Sequence, residues 1–200
     1  MNKIKRYMIL VLALFLLVSV PSSAQTAESI GKDYPSFTRA VRNKKIILLR
    51  VRVGKTTLIY DSKVPTRRVK AVKRWIKFLP SNVQRASSKV YLLRHSSFMK
   101  TGRKKDLENV LGYEIFEDKE IYLYSMSDYE EMQSTLYHEF GHAYDNRTGK
   151  YLKYSSSAEW HKIGKGYGNR AEYFADCFGE YYCYLYTKEA RFITKVLKYK

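Results

Sequence analysis

The chain has 200 residues and a formal net charge of +18, with 28% of its residues charged. That length supports one core of ordinary size and excludes two comfortable domains. Two cysteines exclude a disulfide framework, and net charge by itself decides neither fold nor partner.

At the start, Lys3, Lys5 and Arg6 precede an apolar run from Met8 to Val20, and Ser22, Ser23 and Ala24 offer small residues for cleavage. The run is shorter than the ~20 residues a bilayer span requires, so residues 1–24 read as a cleavable export signal, not an anchor. With no cysteine near the cut, a lipoprotein is not expected. The remaining residues 25–200 are expected to form one secreted domain, which keeps a net charge of about +15 once Lys3, Lys5 and Arg6 are removed.

Residues 25 to about 37 are polar and read as loose. "KIILLRVRV" and "TTLIYD" read as two strands joined by a tight turn at Gly54 and Lys55. "GKTT" is not a phosphate-binding loop, because Leu49 stands where the fingerprint needs another glycine. Pro65 opens a helix whose apolar positions Val69, Val72, Ile76 and Leu79 recur at helical spacing, and Pro80 closes it. "KVYLLR" reads as a third strand. Residues Ser96 to Glu108 read as a loop or a short helix, and "LGYEIFEDKEIYLYS" as two short strands around Glu117, Asp118 and Lys119.

Helical patterns follow at about 128–146, 157–164, 169–187 and 188–199. The expected organisation is therefore α+β, with a small twisted sheet and a helix over 25–127 and a helical half over 128–200. Cys177 and Cys183 lie on different faces of one helix, so they are expected to be buried, unpaired thiols.

Charge divides along the same line. Lys63 to Lys105 contains fourteen Lys or Arg and no Asp or Glu, whereas Asp106 to Lys200 contains twelve basic and sixteen acidic residues. The basic half is either a solvated face or a docking surface for an anionic wall polymer, membrane or acidic substrate.

"STLYHEFGHAYD" places His138 and His142 four apart with Glu139 after the first histidine. On a helix both imidazoles share a face and can bind one zinc ion, while Leu136, Phe140, Ala143 and Tyr144 fall on another stripe. Glu139 is then the general base that takes a proton from the attacking water. A catalytic zinc site needs a third protein ligand and one open position. Asp145 shares the face, but two turns along the helix is ~10.5 Å of rise, so it suits a supporting role. "NRAEYFADCFGEYY" supplies a better candidate: Glu172 as third ligand, with Asp176 one turn later to accept a bond from the non-ligating nitrogen of a zinc histidine. Tyr167, in a Gly-flanked loop before Glu172, and His161 are candidate hydrogen-bond donors to a developing oxyanion.

"HEFGHAYD" followed by "AEYFADCF" resembles the catalytic domain of anthrax lethal factor and its small secreted relatives, the Pro-Pro endopeptidases. The resemblance covers about residues 128–182. It implies a zincin-like single domain with one Zn2+ per chain. His138, His142 and Glu172 would be the ligands, Glu139 the base, Asp176 the matching family carboxylate and Tyr167 the catalytic tyrosine. It also implies that "GYEIF" is an edge strand, antiparallel to "EIYLYS", that pairs with an extended substrate.

The expected function is thus a secreted zinc metalloendopeptidase, monomeric, acting on protein or peptide and not on nucleic acid. The alternative is a non-enzymatic zinc-containing module that binds anionic wall or membrane through its basic half. A toxin-like peptidase delivered by a partner is a third reading, and no delivery domain is visible in the sequence.

Overall fold

The computed structural model describes residues 35–102, 104–149, 170–183 and 193–194. Residues 1–24, expected to be an export signal, and the helices expected at 157–164 and 188–199 lie outside the described residues, apart from a helical pair at 193–194. Among the described residues, no helix is long and apolar enough to cross a membrane.

A helix not foreseen from the sequence, α1 (Pro35–Arg42), leads into a hairpin of β1 (Leu48–Val53) and β2 (Thr56–Asp61). The hairpin is antiparallel, with Val53 opposite Thr56. Gly54 turns it at φ +58°, a left-handed conformation that glycine adopts without strain. A Cβ there would lie 2.0 Å from Gln84 Oε1. That oxygen accepts a hydrogen bond from Lys55 N at 2.8 Å, while Gln84 Nε2 donates to Leu79 O at 2.6 Å, so the side chain cannot simply swing aside. Gly54→Ala is therefore expected to destabilise the fold by about 2–3 kcal/mol, from left-handed strain plus overpacking, measurable by denaturant melting. A loss below about 0.5 kcal/mol would contradict this pinning of the hairpin.

α2 (Thr66–Phe78) crosses from β2 to β3 (Lys89–Leu93), and these strands are parallel. Pro65 stands just before the first helical residue, one position earlier than the sequence reading placed it, and Leu79 returns to extended backbone ahead of Pro80. Short helices α3 (Ser81–Gln84), α4 (His95–Phe98) and α5 (Lys104–Leu107) precede the β4 (Gly112–Ile115) and β5 (Glu120–Tyr124) hairpin. The five-stranded sheet has the order β1-β2-β3-β5-β4, with β3 and β5 parallel and β4 and β5 antiparallel. β4 is thus an edge strand.

Period-two alternation splits the sheet between two cores. Leu58, Val90, Leu92, Ile121 and Leu123 face one side, where they meet α2 and the helical half; Leu93, Tyr113 and Ile115 face the other with Phe98 and Leu107. On that second side Tyr91, Tyr122 and Tyr113 stack across β3, β5 and β4, with ring centroids 4.5 and 4.9 Å apart.

The helical half begins with α6 (Tyr129–Thr148), and α7 (Arg170–Cys183) packs against it. Leu136, Phe140, Ala143, Tyr144, Phe174 and Phe178 are all buried. Burying each of the large ones contributes roughly 1.5–3 kcal/mol, which fixes α6 and α7 over the sheet. Neither cysteine is in a disulfide among the described residues; Cys177 is buried, whereas Cys183, contrary to the sequence expectation, is only partly buried. Burial still pushes the Cys183 thiol up to about 12.

Candidate metal centre

The two ends of α6 are closed by local chemistry. Asp128 caps the N-terminus, its carboxylate accepting from Glu130 N at 2.8 Å and Glu131 N at 3.0 Å, and Glu130 and Glu131 place negative charge in the first turn. Gly149 ends the helix at φ +57°, its N–H donating to Asp145 O. Between these caps the buried stripe turns towards the sheet and α7, and the histidines occupy the flank beside α7.

His138 Nε2 and His142 Nε2 lie 3.0 Å apart. Glu172, in the first turn of α7, brings Oε2 to 3.2 Å from His138 Nε2 and 3.5 Å from His142 Nε2. These three partly exposed side chains form a group able to hold a metal ion. Asp176 sits one turn beyond Glu172 and accepts from the other ring nitrogen, His138 Nδ1, at 2.8 Å. His138, His142, Glu172 and Asp176, all selected from the sequence, are therefore brought together. Which histidine Asp176 serves is fixed only by the packing of α7 on α6.

That packing is close because of two glycines. A Cβ on Gly141 would lie 3.0 Å from both Ala175 Cα and Phe178 Cβ. A Cβ on Gly179 would lie 3.3 Å from Ser134 O and 3.4 Å from His138 N. Each helix thus offers a bare backbone where the other needs to approach.

The charges are strongly coupled. Burial lowers the proton affinity of His138, but the bonds to Asp176 and Glu172 outweigh it and raise the pKa to about 10. The same imidazoles hold the Glu172 carboxyl well below the usual carboxylate range. Glu139 is only 6% exposed. Burial raises its pKa, against the opposing pull of His138 and His142.

A cation entering this site competes with the proton on His138. Lower pH fills the nitrogen with a proton, so metal affinity is expected to rise about tenfold per pH unit from about 6.5 to 8.5 as that single proton is displaced. Competition with a chelating dye at several pH values measures this, and an affinity independent of pH across that range would refute it.

Three residues that sequence reasoning did not select complete the surroundings. Gly112 on β4 lets the strand lie against α6: a Cβ there would be 2.8 Å from Thr135 Cγ2 and 3.4 Å from Glu139 Cγ. The edge strand is therefore next to the buried glutamate. Two residues on, Glu114 points to the same side and is 7% exposed. Its Oε2 accepts from Asn146 Nδ2 at 3.0 Å, while Oε1 is buried with no hydrogen-bond partner among the described residues. Burial raises its pKa to about 7, opposed by the Asn146 bond and assisted by the nearby Glu139 charge. The signal available in the sequence was the alternation of "GYEIF", which separates Gly112 and Glu114 from Tyr113 and Ile115.

Asp145 is half-buried near the end of α6, where its carbonyl receives the Gly149 N–H; it does not belong to the metal-holding group. Tyr167 and His161 lie outside the described residues. No protein-family model, curated protein or solved structure matches this chain.

Proposed function

We propose that the chain is an exported zinc metalloendopeptidase of zincin-like fold, related to the lethal factor and Pro-Pro endopeptidase group. The observation that carries this reading is the triangle of His138 Nε2, His142 Nε2 and Glu172 Oε2, with sides of 3.0, 3.2 and 3.5 Å, beside a buried Glu139. A tetrahedral ion with bonds of ~2.0–2.1 Å separates its donors by about 3.3–3.4 Å, and two nitrogens with one carboxylate oxygen suit zinc. Zinc held there would supply Lewis-acid chemistry, polarising a peptide carbonyl and making water more acidic.

The chain's own groups supply the rest. Asp176 accepts the Nδ1 proton of His138, which leaves Nε2 as the ligating atom and fixes the ring. Glu139 has a raised proton affinity and no bulk water around it, so it is suited to take a proton from the attacking water and deliver it to the leaving amine. β4, an edge strand pressed against Glu139 through Gly112, is suited to pair with an extended peptide backbone. Tyr167 is the proposed donor to the oxyanion, and Asp145 a supporting residue at the end of α6. A closed structural site has no use for a buried base next to its ligands, which favours the enzyme over a non-catalytic module.

Metal analysis of the purified protein together with a peptide-library cleavage assay tests the proposal. One zinc per chain is expected, with cleavage abolished by a chelator and restored by zinc. Stoichiometric zinc without cleavage of any library peptide would favour the non-enzymatic module.

A further inference from the structure

The helix α2 is built from two incompatible-looking halves. Val69, Ala71, Val72, Trp75 and Ile76 are buried against the core, whereas Arg67, Lys70, Arg74 and Lys77 are exposed at spacings of three, four and three. These four cations form a single outward stripe on a helix ~20 Å long. None of them makes an ion pair among the described residues. Neighbours three and four apart carry like charge, and the first turn holds no acidic residue, so the arrangement slightly destabilises its own helix. An anionic partner would relieve that repulsion.

Exposed apolar groups lie towards both ends of α2. Phe78 is 57% exposed, one turn beyond Arg74 and adjacent to Lys77. Ile47 and Leu49 are 55% and 45% exposed. Leu49 shares a strand face with Val51 and Val53, which pack in the same core as α2, so the apolar edge of the sheet emerges on the α2 side. A hydrophilic phosphodiester polymer has no use for exposed phenyl and isobutyl groups among cations. A bilayer with acidic headgroups uses both: cations meet the headgroups, and apolar side chains enter the interface.

We propose that the outward face of α2, with Phe78 and the exposed end of β1, is a docking surface for an anionic phospholipid bilayer. This assignment is independent of the reaction at the metal centre. It would place the domain flat on a membrane surface through charge and shallow insertion.

Sedimentation of the full chain with phosphatidylcholine vesicles, and with vesicles containing phosphatidylglycerol, tests it. The readout is the ratio of binding to anionic over neutral vesicles, compared between wild type and variants so that any contribution from residues 1–24 is common to both. The Lys70→Gln/Arg74→Gln variant removes two cations and is expected to lower the ratio roughly thirtyfold, with the remaining preference lost in high salt. Phe78→Ser is expected to weaken vesicle binding while leaving binding to soluble polyphosphate unchanged. Circular dichroism and zinc affinity, both expected at wild-type values, verify that each variant is folded. A ratio unaffected by the double variant overturns the proposal. So does Phe78→Ser binding vesicles as well as wild type while polyphosphate competes fully, since the face would then serve a polymer.

Discussion

Glu139→Gln is expected to lower peptide turnover by about 10²–10⁴-fold while leaving zinc affinity and melting temperature close to wild type. Glutamine keeps the volume that fills the space beneath Gly112, where a Cβ on the strand would come within 3.4 Å of Glu139 Cγ. Alanine would open a cavity at that contact and confuse loss of chemistry with loss of packing. Burial disfavours the charged form of Glu139, so neutralising it costs the fold nothing in desolvation. Unlike Glu172 and Asp176, Glu139 is neither a member of the metal-holding group nor bonded to His138, so its replacement leaves those contacts in place. The check is kcat/KM on a cleaved peptide, measured beside zinc stoichiometry and thermal melting. Undiminished cleavage by the glutamine variant would exclude Glu139 as the base and sink the mechanism.

The parts of this site that were legible in the sequence are those set by a single helix. His138 and His142 share a face because they are four apart, and Glu172 and Asp176 are one turn apart for the same reason. The hairpin at Gly54, the helix between Pro65 and Pro80 and the β4–β5 pair were readable because turn chemistry and periodicity agree locally. Contacts between elements were not. Glu114 reads as an ordinary strand carboxylate until the sheet order puts β4 at the edge and turns its Gly112/Glu114 face towards α6. α1 escaped notice although Phe37, Ala40 and Val41 recur at helical spacing, because it spans only eight residues and its start was grouped with the polar stretch before it. The pairing of Asp176 with His138 depends on how far α7 slides along α6, which no periodicity records.

That slide leads to the second large effect, at Gly141. The residue lies between Glu139 and His142 in sequence, yet it faces α7, where a Cβ would meet Ala175 Cα and Phe178 Cβ at 3.0 Å. Glycine is a poor helix former, so on propensity alone a leucine here would stabilise α6 by up to about 1 kcal/mol. The contact reverses the sign. Ala175 is backbone and Phe178 is fully buried, so neither can give way without moving α7 as a whole. Gly141→Leu is expected to destabilise the protein by about 1–3 kcal/mol through overpacking. The same displacement carries Glu172 and Asp176 away from His138 and His142, because both carboxylates ride on α7. An error of about 1 Å in such a constellation costs on the order of 10²-fold in turnover, and zinc affinity is expected to fall with it. Gly141→Ala, with only one added carbon, should show the same losses in smaller measure. Zinc competition and thermal melting on the two variants separate the possibilities. If leucine lowers the melting temperature but leaves zinc affinity intact, the glycine serves packing alone, and α7 finds its place on α6 by the aromatic contacts of Phe178 with Tyr144 and of Tyr182 with Tyr137.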